Sequence, residues 1–211
     1  MASLLLAGLG SLNDPLAADP VLELAVRLAG LGLDAWPGFW LEEPTLAEAT
    51  RGCGDVAHVL PVLAAEDYFS RALIPREVEG QANGRRVVLH RPLGARAAFT
   101  RLAASRVAEA GGPLARALVR PADDRASRRA AAGLAARLAS ALQGGAVLAE
   151  GDLPTGPDDV WLPVRVRGGW FADASDVKLP DGAPRAEAPW RARDLVSMVA
   201  GLTREFVGQS E

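Results

Sequence analysis

The segment LLLAGLGSLNDP, residues 4–15, decides how the rest of the chain is read. Leu4, Leu5, Leu6 and Ala7 form a short apolar run that ends in Gly8-Leu9-Gly10-Ser11 and then Asn13-Asp14-Pro15. Such a run, closed by glycines, fits a buried parallel strand ending in a tight turn. In open α/β sheets ligands bind beyond the carboxyl ends of the strands, so this turn is expected to line the working crevice.

The segments that follow keep alternating. Asp19-Pro20 reads as a helix start, with aspartate as cap and proline at the first helical position. Val21, Leu24, Ala25 and Leu28 follow at helical spacing, and Gly30 and Gly32 end the helix. Residues 33–41 read as a second strand, held to an edge or irregular position by Pro37 and Gly38. After a short helix at 44–50, residues 56–64 (VAHVLPVLA) are apolar enough for a strand buried on both faces. Residues 66–76 fit a helix or lid, 86–91 a fourth strand, and 95–110 another helix. Strand and helix alternating with short joints imply a parallel sheet with right-handed crossovers.

Past residue 112 the pattern changes. Residues 124–142 read as an alanine-rich helix with Ala130, Leu134, Leu138 and Leu142 on one stripe. Residues 160–166 alternate, and Gly168-Gly169 ahead of Trp170-Phe171 is a hairpin signal. A last amphipathic helix spans 191–206, with Leu195, Val199, Leu202 and Phe206 on one face. The expected fold class is α/β: an open parallel sheet in a flavodoxin-like three-layer domain over 1–112. A C-terminal extension of helix, β-hairpin and helix over 113–211 would pack on it. No internal repeat stands out.

Composition bounds the function. With 211 residues, 49% of them hydrophobic, the chain can bury a proper core. A net charge of -3 supplies no field that would draw in nucleic acid. Cys53 is the sole cysteine, and His58 and His90 are the two histidines, so no disulfide framework, thiolate zinc site or iron–sulfur site forms within one chain. The first apolar run lacks a basic leader and meets Gly8 too soon for a signal peptide or membrane span. The expectation is a soluble, cytoplasmic protein without a membrane partner.

The order of landmarks in the first half resembles the small sirohydrochlorin chelatases of cobalamin and sirohaem biosynthesis, the CbiX/SirB-like family. That family opens with a strand, a Gly-His-Gly-Ser turn and an Asp-Pro; here these are Gly8-Leu9-Gly10-Ser11 and Asp14-Pro15. Its second strand runs Phe-Leu-Glu into a proline-initiated helix, matched by Phe39-Trp40-Leu41 and Glu43-Pro44-Thr45-Leu46. Its third strand and lid are matched by Pro61-Val62-Leu63 and Ile74-Pro75, and its later Pro-Leu-Gly by Pro92-Leu93-Gly94. The match covers residues 4–110 and implies a chelatase-like α/β domain.

Three departures bear on chemistry. The resemblance implies a metal-inserting site built from a first-turn histidine, a glutamate ending strand two and a lid histidine. At those positions stand Leu9, Trp40 and Phe69, with Glu42 and Glu43 nearby but out of register. Inserting a divalent ion into a macrocycle needs lone-pair donors and bases for two pyrrole protons, which leucine, tryptophan and phenylalanine lack. The expectation is therefore no catalytic residue, no protein-bound metal and no cofactor.

The binding crevice is expected to use Leu9, Ser11, Trp40, Phe69, Arg71, His90 and Arg96. Trp36, Phe39, Trp40, Tyr68 and Phe69 would cluster as a stacking surface for a flat tetrapyrrole. Ser11, Arg71, Arg91 and Arg96 would pair with its carboxylates. The leading expectation is a diverged, non-catalytic chelatase-like protein that binds a tetrapyrrole or an active chelatase partner. Two alternatives stand beside it. One is an active cobalt or iron chelatase, a lyase, that has recruited His90 with Glu42, Glu43, Glu66 or Asp67. The other is a structural subunit, in a homo-oligomer or docked by its last helix.

Overall fold

The computed structural model describes residues 2–14, 16–150, 156–190 and 192–208. Pro15 of the Asp14-Pro15 pair, and Arg191 at the start of the last expected helix, lie outside the described residues. The chain forms two compact units, one of Met1–Leu93, Arg167–Trp170 and Arg191–Glu211, the other of Gly94–Val166 and Phe171–Trp190.

The first unit contains a four-stranded sheet of β1 (Ala2–Gly8), β2 (Ala35–Phe39), β3 (Val56–Pro61) and β4 (Arg86–Leu89), in the order β2-β1-β3-β4. Every pairing is parallel: Leu4 lies beside Ala35 and His58, and Val59 beside Leu89. The carboxyl ends at Gly8, Phe39, Pro61 and Leu89 therefore share one edge.

Alternation of side chains along the strands assigns the two faces. Leu5, Ala7, Ala57 and Val59 point to α2 (Leu46–Gly52) and α3 (Ile74–Gly80), burying Leu46, Ala49, Ile74 and Val78. Leu4, Leu6 and His58 point to the other face, where α1 (Asp19–Gly30) and α6 (Ala192–Gly208) pack together. Leu195, Val199, Leu202 and Phe206 are buried, with Phe206 against His58 and His90. Two helical layers around a parallel sheet make this unit a three-layer α/β fold.

Local sequence explains the details. Thr45 caps α2 in a reciprocal box with Glu48, so the helix starts at Leu46 rather than Pro44. Asp19 is the first helical residue of α1, not its cap; Ala18 holds that position without a side-chain bond. Gly38 lets α2 approach, since a Cβ there would stand 2.9 Å from that of Ala49. Cys53 is buried, and burial pushes its thiol up to about 11, as suits a packed residue without chemistry.

The second unit takes in most of the residues expected as the C-terminal extension. It begins at Gly94, before the 112/113 boundary, and holds its own four-stranded sheet. Its strands are β5 (Arg116–Pro121), β6 (Ala146–Leu148), β7 (Asp159–Arg167) and β8 (Trp170–Ala172), in the order β6-β5-β7-β8. β5 is parallel to β6 and β7, and the expected Gly168-Gly169 turn joins β7 to β8. The two sheets share one strand order, although β8 follows β7 through a hairpin turn where β4 is parallel to β3.

In this unit, α4 (Ala97–Gly111) and α5 (Arg125–Ala139) pack together and against β5. Asp124 caps α5 by accepting the Ser127 amide at 2.8 Å. The parallel register sets Arg116 beside Asp159, and its guanidinium clasps that buried carboxylate with bonds of 2.6 and 2.7 Å. The clasp holds the Asp159 carboxyl below its usual range. β7 is buried from Asp159 through Val164 instead of alternating, so both of its faces are covered over that stretch. Phe171 stacks between Phe99 and Trp190, with centroids 5.1 and 4.8 Å away. Among the described residues, no helix is long and apolar enough to cross a membrane.

Candidate functional site

In the order β2-β1-β3-β4, the chain turns to opposite sides after β1 and β3, which opens a crevice at their carboxyl ends. Leu9 leaves β1 half-buried against the α2/α3-side core. The turn then passes through Gly10 at φ +68°, with the Glu42 side chain lying against it. The Ser11 amide donates to the Glu42 carboxylate, and the amides of Trp40 and Leu41 donate to the carbonyls of Gly8 and Leu9. Glu42 is thus committed to shaping this turn. Asn13 donates its amide to the Ser11 hydroxyl at 3.3 Å, so Ser11 also organises its own loop.

Trp40 and Phe69 come together. Their rings meet edge to face with centroids 6.1 Å apart, Phe69 buried in the same core as Leu9 and Trp40 38% exposed. Phe69 opens a π-helical turn, Phe69–Leu73, that runs directly into α3. Asp67 and Ser70 exchange bonds ahead of it, each accepting the other's amide. The three positions where the resembled family is polar therefore lie together at the strand ends, Leu9 and Phe69 in one core cluster and Trp40 exposed against the Phe69 ring.

The wider aromatic cluster does not assemble. Phe39 turns to the α1 side, where a Cβ on Gly8 would stand 2.8 Å from its ring. Trp36 lies within β2 and donates its indole N–H to Asp34 at 2.8 Å, while Tyr68 is exposed. Strand alternation separates Phe39 from Trp40, which adjacency in sequence does not convey.

Glu66, just beyond β3, accepts from two arginines at once. Its Oε2 takes Arg71 Nη2 at 2.8 Å, and its Oε1 takes Arg91 Nε at 2.7 Å. The bonds from Arg71 and Arg91 hold its carboxyl below the usual glutamate range. Glu66 was expected as a metal-ligand candidate and the arginines as partners of a bound molecule; the structure joins the three.

His90 follows β4 and does not join this set. Its Nε2 lies 3.0 Å from Nδ1 of His58, and its ring stacks on Phe206 of α6 at 3.6 Å. His58 is buried on the α1/α6 face, and burial, then the Arg86 charge, depresses its basicity. The pairing was not legible because His58 lies opposite Val88, so His90 reaches it diagonally, a relation set by register. Among the described residues, no three His, Cys, Asp or Glu side chains gather as a metal-holding group, including those suggested around His90. Arg96 belongs to the second unit, directly before α4, with its carbonyl accepting the Thr100 amide at 3.1 Å.

Comparison with known proteins adds to this geometry. No family model matches the chain. A protein of Halobacterium salinarum described as a probable sirohydrochlorin cobaltochelatase is 32% identical over 81 residues, which are 37% of this chain and 28% of that protein. The matched stretch thus spans under a third of the curated relative's length. CbiX, described as the terminal enzyme for siroheme biosynthesis in denitrifying bacteria, superposes with a TM-score of 0.62 at 23% identity, covering 96% of this chain and 98% of that one. SirB from Bacillus subtilis subspecies spizizenii, a sirohydrochlorin chelatase in complex with cobalt, gives 0.63 at 16% identity over 96% and 93%. The chain has the sirohydrochlorin-chelatase fold.

The resemblance to the CbiX/SirB-like family is thereby borne out. A multi-domain protein from Deinococcus radiodurans with structural similarity to chelatases also matches, at a TM-score of 0.70 and 20% identity over 96% of this chain and 54% of that one. The chelatase fold accounts for the second sheet: 96% of the chain superposes on CbiX, so residues read as an extension belong to the fold itself.

Proposed function

We propose that this protein is a diverged member of the sirohydrochlorin-chelatase group that binds a tetrapyrrole without inserting metal into it. The observation that carries the reading is the exposed Trp40 ring set against buried Phe69, which shares a core cluster with Leu9 at the strand ends. A macrocycle presents a flat, polarisable face, and an exposed indole braced by a buried phenyl ring is suited to stack on it. The same side chains offer no lone pair for a divalent ion and no base for a pyrrole proton.

The alternative of an active chelatase built on His90 is less well supported. His90 is paired with His58 under Phe206, and Glu42 and Glu66 already bind Ser11 and the two arginines. The structural-subunit alternative relied on the α6 stripe, which is already buried in the chain.

Restoring the polar positions tests the assignment. The triple variant Leu9→His, Trp40→Glu, Phe69→His should bind cobalt(II) where the parent protein does not, read by the visible absorption of the cobalt complex. A folded triple variant that leaves cobalt(II) unbound would show that these positions are not the remnant of a metal site.

A further inference from the structure

The Glu66 clasp is more than a surface ion pair in its placement. Glu66 follows β3, Arg71 lies in the π-helical turn, and Arg91 follows β4, so all three sit at the carboxyl edge of the first sheet. Arg71 comes two residues after Phe69, whose ring supports Trp40. A π-helical turn widens the helix by one residue per hydrogen-bonded loop and recurs at functional sites. Here it buries Phe69 and leaves Arg71 exposed. The Glu66 side chain is recessed, 27% exposed, while each arginine side chain is 71% exposed.

We propose that Arg71 and Arg91 form a receptor for an acid group, occupied in the free protein by the Glu66 carboxylate, which an incoming ligand carboxylate displaces. The ligand class is a flat molecule bearing several carboxylates; its further identity as a tetrapyrrole rests on the reading above. Guanidinium groups match carboxylate geometry with paired N–H donors. Exchange is cheap because exposed ion pairs contribute little to stability. The ligand's plane would lie over Trp40, which Phe69 supports from below, while an acid arm reaches the arginines. Glu66 thus acts as a placeholder that keeps two like charges together until the ligand arrives.

Isothermal titration with two probes tests this: sirohydrochlorin, and pyromellitate, a single aromatic ring carrying carboxylates but no macrocycle. Glu66→Gln should tighten pyromellitate binding by about three- to tenfold, the scale of the lost internal competition. Arg71→Gln and Arg91→Gln should each weaken it by a similar factor, and Glu66→Asp, which keeps the competing charge, should stay near the parent. Circular dichroism melts verify that each variant is folded. Pyromellitate binding that is absent throughout, or unchanged by Glu66→Gln and both arginine variants, would overturn the receptor. Sirohydrochlorin binding retained in that case would leave the tetrapyrrole reading intact. The pyromellitate pattern obtained without sirohydrochlorin binding would establish the receptor and remove the tetrapyrrole.

Discussion

Trp40 and Phe69 touch, yet substituting them should have different consequences. Trp40 is 38% exposed and braced along one edge, so Trp40→Ala removes a stacking face without opening the core. Sirohydrochlorin binding should weaken by about fivefold, the scale of one aromatic contact, with a melting curve close to the parent's. Phe69→Ala should cost the fold itself about 3–5 kcal/mol, read by denaturant unfolding, because its ring is buried against Leu9 and Leu63. His58 adds a pH dependence. Its folded-state pKa lies below the ordinary 6.5, so the unfolded chain binds the proton more readily. Its contribution to stability is complete above the ordinary value and declines as pH falls below it. Melting curves between about pH 7.5 and about pH 5 should show that decline, and His58→Gln should flatten it.

At the scale of elements, α6 covers the histidine pair. Phe206→Ala should destabilise the protein by about 3–5 kcal/mol and, by admitting water, move the His58 titration up toward its ordinary value, seen in imidazole proton NMR. In the second unit, Asp124→Ala removes the α5 cap and should cost about 1 kcal/mol in denaturant unfolding. Periodicity made the long elements legible: the apolar run of β1, the alanine stripe of α5 and the buried face of α6 could be read directly. Strands β5 and β6 could not. Arg116–Pro121 is bracketed by arginine and proline, and Ala146–Leu148 has only three residues, too short for any period to appear. Without them the hairpin looked like an appendage instead of part of a second sheet.

Across the whole molecule, the parallel fold was legible because it rests on apolar runs and glycine turns that each residue type announces. The site was legible in part. Leu9, Trp40 and Phe69 were placed by motif order, and the structure gathers them. Glu66, Arg71 and Arg91 were each singled out, but their mutual pairing depends on how the ends of β3 and β4 line up. The same is true of His58 and His90, where register decided the partner. The shared order β2-β1-β3-β4 and β6-β5-β7-β8 lies in connectivity and leaves little mark on residue identity. Leu9, Trp40 and Phe69 at the first sheet's edge bear on whether the protein binds a tetrapyrrole without inserting metal. An anaerobic absorbance titration with sirohydrochlorin, run with and without cobalt(II), tests it most directly. The account predicts a saturable spectral shift on binding and metal insertion no faster than in the protein-free control. Insertion faster than that control would contradict it and establish an active chelatase.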